Sequence, residues 1–217
     1  MAKKQLTTEE ITQITSDLQN SKSEKRRSAA KKIGKNQLIQ LDHELYNAYI
    51  KERGDKRTWE TQTEMILALG KVGYKNALPD IKIIVDKNEP HDMITIAATR
   101  TYVRLKRKDL SDVEPVIDLL QFGNLSVLNG AMDILTFDNM SPSEENIKKI
   151  ISIMDSKKEK DIAIRGLGDP RESLISAMRN WKDLSSQNYL NRFVESKNKD
   201  LKRCAELALA GKKSQYE

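Results

Sequence analysis

The apolar residues of this chain recur with a helical period. Ile94, Ala97, Ala98, Thr101, Tyr102 and Leu105 fall at i, i+3, i+4, i+7, i+8 and i+11, which draws one apolar stripe along an amphipathic helix. Nothing alternates apolar and polar residues for long, so strands are not expected. Ile81, Ile83, Ile84 and Val85 are β-branched, but they follow Pro79, a residue favoured in the first helical turn, and read as a helix. Asp169-Pro170-Arg171-Glu172 combines an N-cap residue with Pro at the first helical position, and Ser141-Pro142-Ser143-Glu144-Glu145 starts another helix similarly. These signals predict helices over 7–19, 24–34, 38–52, 58–72, 77–88, 92–107, 112–122, 124–137, 143–155, 159–168, 170–181, 186–196 and 199–211.

The helices form a repeat. Setting Glu24 on Asp200 places Arg26 on Lys202, Arg27 on Arg203 and Ala29 on Ala205. Between these segments lie Trp59 to Gly73, Asp92 to Leu105 and Asn124 to Phe137, each with a central small or apolar cluster. The starts near 24, 59, 92 and 124 are 32 to 35 residues apart, a period that suits a helix pair. Ala29-Ala30, Ala68, Ala97-Ala98 and Ala131 mark where the first helix of each pair approaches its neighbour. Such units cannot bury their apolar faces alone, so one array over 1–217 is expected, with 1–20 as an N-terminal capping helix and 186–217 as a C-terminal capping unit.

Ala68-Leu69-Gly70-Lys71-Val72-Gly73 followed by Asn76-Ala77-Leu78-Pro79, and Gly166-Leu167-Gly168-Asp169-Pro170-Arg171, resemble the helix-turn-helix core of HEAT-like repeats, including those named after phycobilisome lyases. The resemblance spans about 20–215. It implies an all-α solenoid, a right-handed superhelix of five to six helix pairs whose second helices line the concave face. It also implies a non-enzymatic scaffold for a protein partner. Some HEAT-like arrays bind nucleic acid, and one branch consists of DNA glycosylases that frame an acidic residue with several Trp and Tyr. Here Trp59 and Trp181 are about 120 residues apart, and no aromatic pair stands beside an Asp. Trp59 shares a side with Ile66 and reads as core.

Composition narrows the chemistry. The 217 residues are 32% charged and 5% aromatic, with one Cys and two His. No apolar run approaches the roughly 18 residues of a membrane span, and Met1-Ala2-Lys3-Lys4 leads directly into Thr7-Thr8-Glu9-Glu10, so the expectation is a cytoplasmic protein without a secretory signal. Cys204, aligned with Ser28, reads as a small buried residue. One Cys with His43 and His91 in different units cannot assemble the usual nitrogen and sulfur shell of zinc, and neither a metal nor a cofactor is expected. Gly166-x-Gly168 lacks the third Gly and preceding strand of a dinucleotide loop and reads as a turn between helices.

Net charge is +6, and the basicity is confined to one half: residues 1–110 hold 22 Lys and Arg against 15 Asp and Glu, residues 111–217 hold 16 against 17. Two tracts stand out. Lys22, Lys25, Arg26, Arg27, Lys31, Lys32 and Lys35 oppose only Glu24. Arg100, Arg104, Arg107 and Lys108 fall at i, i+4, i+7 and i+8. Arg26, Arg27, Lys31, Arg100, Arg104, Arg107 and Lys108 are therefore the candidates for an alternative function, nucleic-acid binding through basic first-helix ridges. The second helices carry an acidic excess, and Asp42, Asp80, Asp112, Glu114 and Asp118 are the candidates for holding a protein segment with basic residues.

Overall fold

The computed structural model describes residues 6–162 and 168–214; among them every regular element is a helix. The chain divides into two compact units, one built from residues up to Lys87 with Asp92–Lys106, the other from Asn88–His91 and the residues from Arg107 onward.

The first unit contains α1 (Thr8–Leu18), α2 (Ser23–Asn36), α3 (Asp42–Glu52), α4 (Trp59–Val72), α5 (Leu78–Lys87) and α6 (Met93–Lys106). Thr7 and Glu10 close a capping box at the start of α1: the Thr7 amide donates to Glu10 Oε2 at 2.8 Å and the Glu10 amide to Thr7 Oγ1 at 3.2 Å. Single turns of 3-10 helix, Ile39–Leu41, Lys56–Thr58 and Lys75–Ala77, lead into α3, α4 and α5. Gly73, at φ 75°, ends α4 in the left-handed conformation that costs glycine least, and the Tyr74 amide closes back onto Leu69 O at 3.1 Å.

Packing follows residue size. Helices α2, α4 and α6 lie side by side, with α1 on α2, α3 on α4 and α5 on α6. Gly34 meets Ala68 so closely that a Cβ on it would lie 3.1 Å from the Ala68 Cα, and one on Gly70 would lie 2.9 Å from Thr101 Oγ1. That approach lets the Thr101 hydroxyl donate to Ile66 O on the neighbouring helix at 2.8 Å. Helix α6 is covered on more than its predicted stripe. Thr95, Thr99 and Val103 are buried together with Ala97, Ala98, Thr101 and Leu105.

The second unit contains α7 (Glu114–Phe122), α8 (Leu125–Phe137), α9 (Glu144–Ser156), α10 (Glu159–Ile162), α11 (Pro170–Met178), α12 (Leu184–Val194) and α13 (Lys199–Leu209). Helix α11 lies between α8 and α13, α7 packs on α8, and α12 packs on α11 and α13. The cross-layer threonine bond recurs, with Thr136 Oγ1 donating to Ser173 O at 2.5 Å. Asp169 caps α11 ahead of Pro170, as the sequence predicts, whereas α9 is capped by Ser143, two residues after the Ser141-Pro142 that the pattern of Asp169-Pro170 would point to. The helix predicted over 159–168 is described only to Ile162. The turn read at Gly166-x-Gly168 lies partly outside the described residues.

Two readings of the sequence are corrected. Ala29, Ala30 and Ile33 are buried in α2, and Cys204, Ala205 and Ala208 in α13. Ala29 therefore matches Cys204, one residue away from the alignment drawn on charge, and exposed Ser28 is not the counterpart of buried Cys204. Charged residues on a wet face constrain register little, whereas small buried ones fix it. Trp59, expected in the core, is 45% exposed at the first position of α4. Periodicity gives the side of a helix, not where its neighbours run out. Trp181 is buried and its indole donates to Met140 O at 2.8 Å.

Candidate protein-binding face

In the second unit α9 lies between α7 and α12, and these three helices share an exposed side with three open recesses. One of 450 Å³ lies between α7 and α9, lined by Ile117 and Gln121 on the first and by Glu145, Lys149 and Ser152 on the second. A second of 420 Å³ lies between α9 and α12, lined by Lys148, Ser152, Asp155, Ser185, Asn188 and Arg192 among others. Asp155 and Arg192 also border a third, of 310 Å³, with Glu159, Arg171 and Phe193. Lys148 and Ser152 border the first two, so the recesses form one continuous surface along α9.

Its electrostatics are mostly settled locally. The Arg192 guanidinium forks onto Asp155 at 2.8 and 2.9 Å and stacks 5.0 Å above the Tyr189 ring, tying α12 to α9. Lys148 pairs with Glu144 at 2.8 Å and Lys149 with Glu145 at 2.9 Å, each one helical turn apart. Hydrogen bonds to those carboxylates raise the pKa of both lysines, and the Lys149 contact lowers that of Glu145. Asp118, on the exposed side of α7, has no ion-pair partner among the described residues, and Glu114 acts on Lys149 across the gap. The unneutralised acidity thus lies along α7, while α9 and α12 offer paired charges with Gln, Asn and Ser side chains.

The five acidic candidates separate. Glu114 and Asp118 are exposed on α7, and Glu114 faces Lys149 of α9. Asp112 is half-buried and holds the chain before α7, accepting from the Lys108 amide at 2.9 Å and the Glu114 amide at 3.3 Å. Asp42 and Asp80 belong to the first unit, Asp42 in the first turn of α3. Asp80 accepts from the Tyr46 hydroxyl and from Arg53, both at 2.5 Å, and these two donors, Tyr46 first, hold its carboxyl below the usual range. Arg192 and Asn188 also belong to this face, although the sequence points to 186–196 only as part of a capping unit.

The basic candidates are largely engaged inside the fold. Arg26 forks onto Glu52, Nε to Oε2 at 2.6 Å and Nη2 to Oε1 at 2.8 Å, and its Nη1 donates to the carbonyls of Asn20 and Ser21. The bond to Glu52 raises its pKa. Arg27 pairs with Glu60, and Lys31 with Glu64 at 3.4 Å. The ridge expected over 100–108 is interrupted, because α6 ends at Lys106: Arg100 and Arg104 are half-buried on α6, whereas Arg107 and Lys108 lie beyond its end. Arg107 pairs with Asp138 at 2.6 Å, both side chains nearly buried.

Among the described residues no three or more His, Cys, Asp or Glu side chains are grouped so as to hold a metal ion, and no helix is long and apolar enough to cross a membrane. Burial pushes the Cys204 thiol up to about 11, with the Glu172 carboxylate acting in the same direction. No known protein family matches this chain, and no curated protein is significantly similar to it.

Proposed function

We propose that the helix pairs are HEAT-like repeats of an α-solenoid and that the chain works as a non-enzymatic scaffold, holding a protein segment on the second-helix face formed by α7, α9 and α12. The observation that carries this reading is the continuous run of three open recesses along α9, lined by amide and hydroxyl side chains, with Glu114 of α7 acting on the Lys149 that lines one of them. The layering supports the repeat reading: in the first unit the close-packed α2, α4 and α6 meet through small residues, and in the second α9 lies between α7 and α12. A wide, open surface of mixed polarity suits an extended macromolecular segment better than a small molecule, which favours an enclosed pocket. The segment that fits carries Lys or Arg opposite Glu114 and Asp118.

The test is affinity capture from native lysate with the wild-type chain and with Glu114→Lys combined with Asp118→Lys. Both residues are exposed, so the melting temperature is expected to stay within about 2 °C. A protein retained by wild type and lost from the variant supports the face. Equal recovery of every captured protein by the two would remove it. Asp112 is left intact, since replacing it would disturb the loop it caps.

A further inference from the structure

The basic tract of α2 divides into two sets. Arg26, Arg27 and Lys31 are held by Glu52, Glu60 and Glu64. Lys22, Lys25, Lys32 and Lys35 are exposed and have no ion-pair partner among the described residues. Taken with Ser28, these four lie at i, i+3, i+6, i+10 and i+13, one side of a helix, and Glu24 is the single carboxylate of α2. Beside them, α1 packs on α2 and exposes Thr12, Gln13 and Ser16. The flank is therefore a row of four exposed ammonium groups with Glu24 among them, bordered on α1 by these uncharged hydrogen-bonding side chains and, at its start, by exposed Glu9.

We propose that this flank binds the phosphate backbone of double-stranded nucleic acid without reading its sequence. The cations are all lysines, point charges that lack the planar fork with which arginine reads a guanine edge. Residues 8–36 include no Phe, Tyr or Trp on which unpaired bases could stack, which favours a duplex over a single strand. None of the exposed large apolar side chains belongs to α1 or α2, so the flank has no wedge for the acyl region of a bilayer. Thirteen residues of helix span about 20 Å, or roughly six base pairs. This surface is separate from the second-helix face and stands or falls without it.

Four neutralised phosphates give a slope of about −3.6 in log affinity against log salt, so binding should weaken roughly 150-fold between 50 and 200 mM salt. The experiment is fluorescence anisotropy of a labelled 20-base-pair random duplex titrated with the full chain. Lys25→Gln with Lys32→Gln should halve the slope, leaving about a 12-fold loss over the same range, and changing all four lysines to Gln should abolish binding at 50 mM. Lys31→Gln, at the paired position, should keep the wild-type slope. The proposal is overturned by an absence of duplex binding at 50 mM salt, by an unchanged slope in the quadruple variant, or by binding to phosphatidylserine vesicles but not to the duplex. The lysines have no ion-pair partners to lose among the described residues, and unchanged circular dichroism spectra confirm that the variants are folded.

Discussion

At the scale of single residues, Arg26 and Glu52 show why charge in a sequence does not announce its role. Seven basic residues crowd 22–35, and nothing local separates Arg26 from Lys25. Burial does: Glu52 is 5% exposed and Arg26 18%, and the two are joined by two short hydrogen bonds. Removing one partner of such a pair leaves a buried charge uncompensated and costs about 3–5 kcal/mol. Arg26→Ala should therefore lower the melting temperature by roughly 10 °C in thermal unfolding. Arg26→Met combined with Glu52→Leu should recover most of that, because no buried charge remains. A single variant that melts within 2 °C of wild type would show that water reaches Glu52. Three of the acceptors that hold the basic tracts, Glu60, Glu64 and Asp138, stand 31 to 33 residues beyond their cations, close to the repeat period. The spacing that relates the apolar clusters also relates these charges, so the pairs are legible in the sequence.

At the scale of elements, the sequence reading placed nearly every described helix to within about two residues, for a local reason. Caps at Thr7, Ser143 and Asp169 and the stop at Gly73 are short-range signals, and a helix closes its own backbone bonds. The partner of each helix was less legible. The 3.6-residue period reports that one side is apolar, but Thr95, Thr99 and Thr101 are also buried, because α6 is covered on more than one side. A buried hydroxyl bonded to a helical carbonyl looks polar in a pattern and behaves as core in the fold. The contact of Gly70 with Thr101 offers a test. Gly70→Ala gains about 1 kcal/mol of helix propensity but forces apart a layer with no room for a Cβ, at about 1–3 kcal/mol. A net loss is expected in urea unfolding. A midpoint equal to or above wild type would mean that the layer spreads without penalty.

At the scale of the whole molecule, each unit buries groups that ionise in alkali. Burial pushes Tyr49 in the first unit up to about 12 and Cys204 in the second up to about 11, and raises Tyr189 as well. A raised folded-state pKa favours the fold fully below the unfolded value and progressively less as pH climbs through the folded one. The unfolded thiol ionises near 8.5–9 and unfolded tyrosine near 10. Urea midpoints should accordingly hold steady to about pH 8.5 and fall from there to pH 11, and Cys204→Ala should flatten the earlier part of that fall. A flat profile in the wild type would show that these groups are open to solvent.

The acidity summed over the second helices was legible as a number but not as a place. Carboxylates at Asp80, Glu144, Glu145 and Asp155 are already paired or hydrogen-bonded, so within the second unit what remains is the edge of α7, while Asp42 and Glu44 stay on α3 of the first. Only coordinates separate a neutralised carboxylate from a free one.

The all-helical architecture also limits how a partner can be recognised. Among the described residues there is no strand edge, so no incoming chain can dock by extending a sheet, where main-chain bonds supply affinity to almost any sequence. Whatever lies along α9 must satisfy its own backbone, as a helix does, or borrow bonds from Gln121, Ser152 and Asn188. Under the proposed function discrimination would then rest on side chains alone, so that surface substitutions could exchange one partner for another while the buried layers stay as they are.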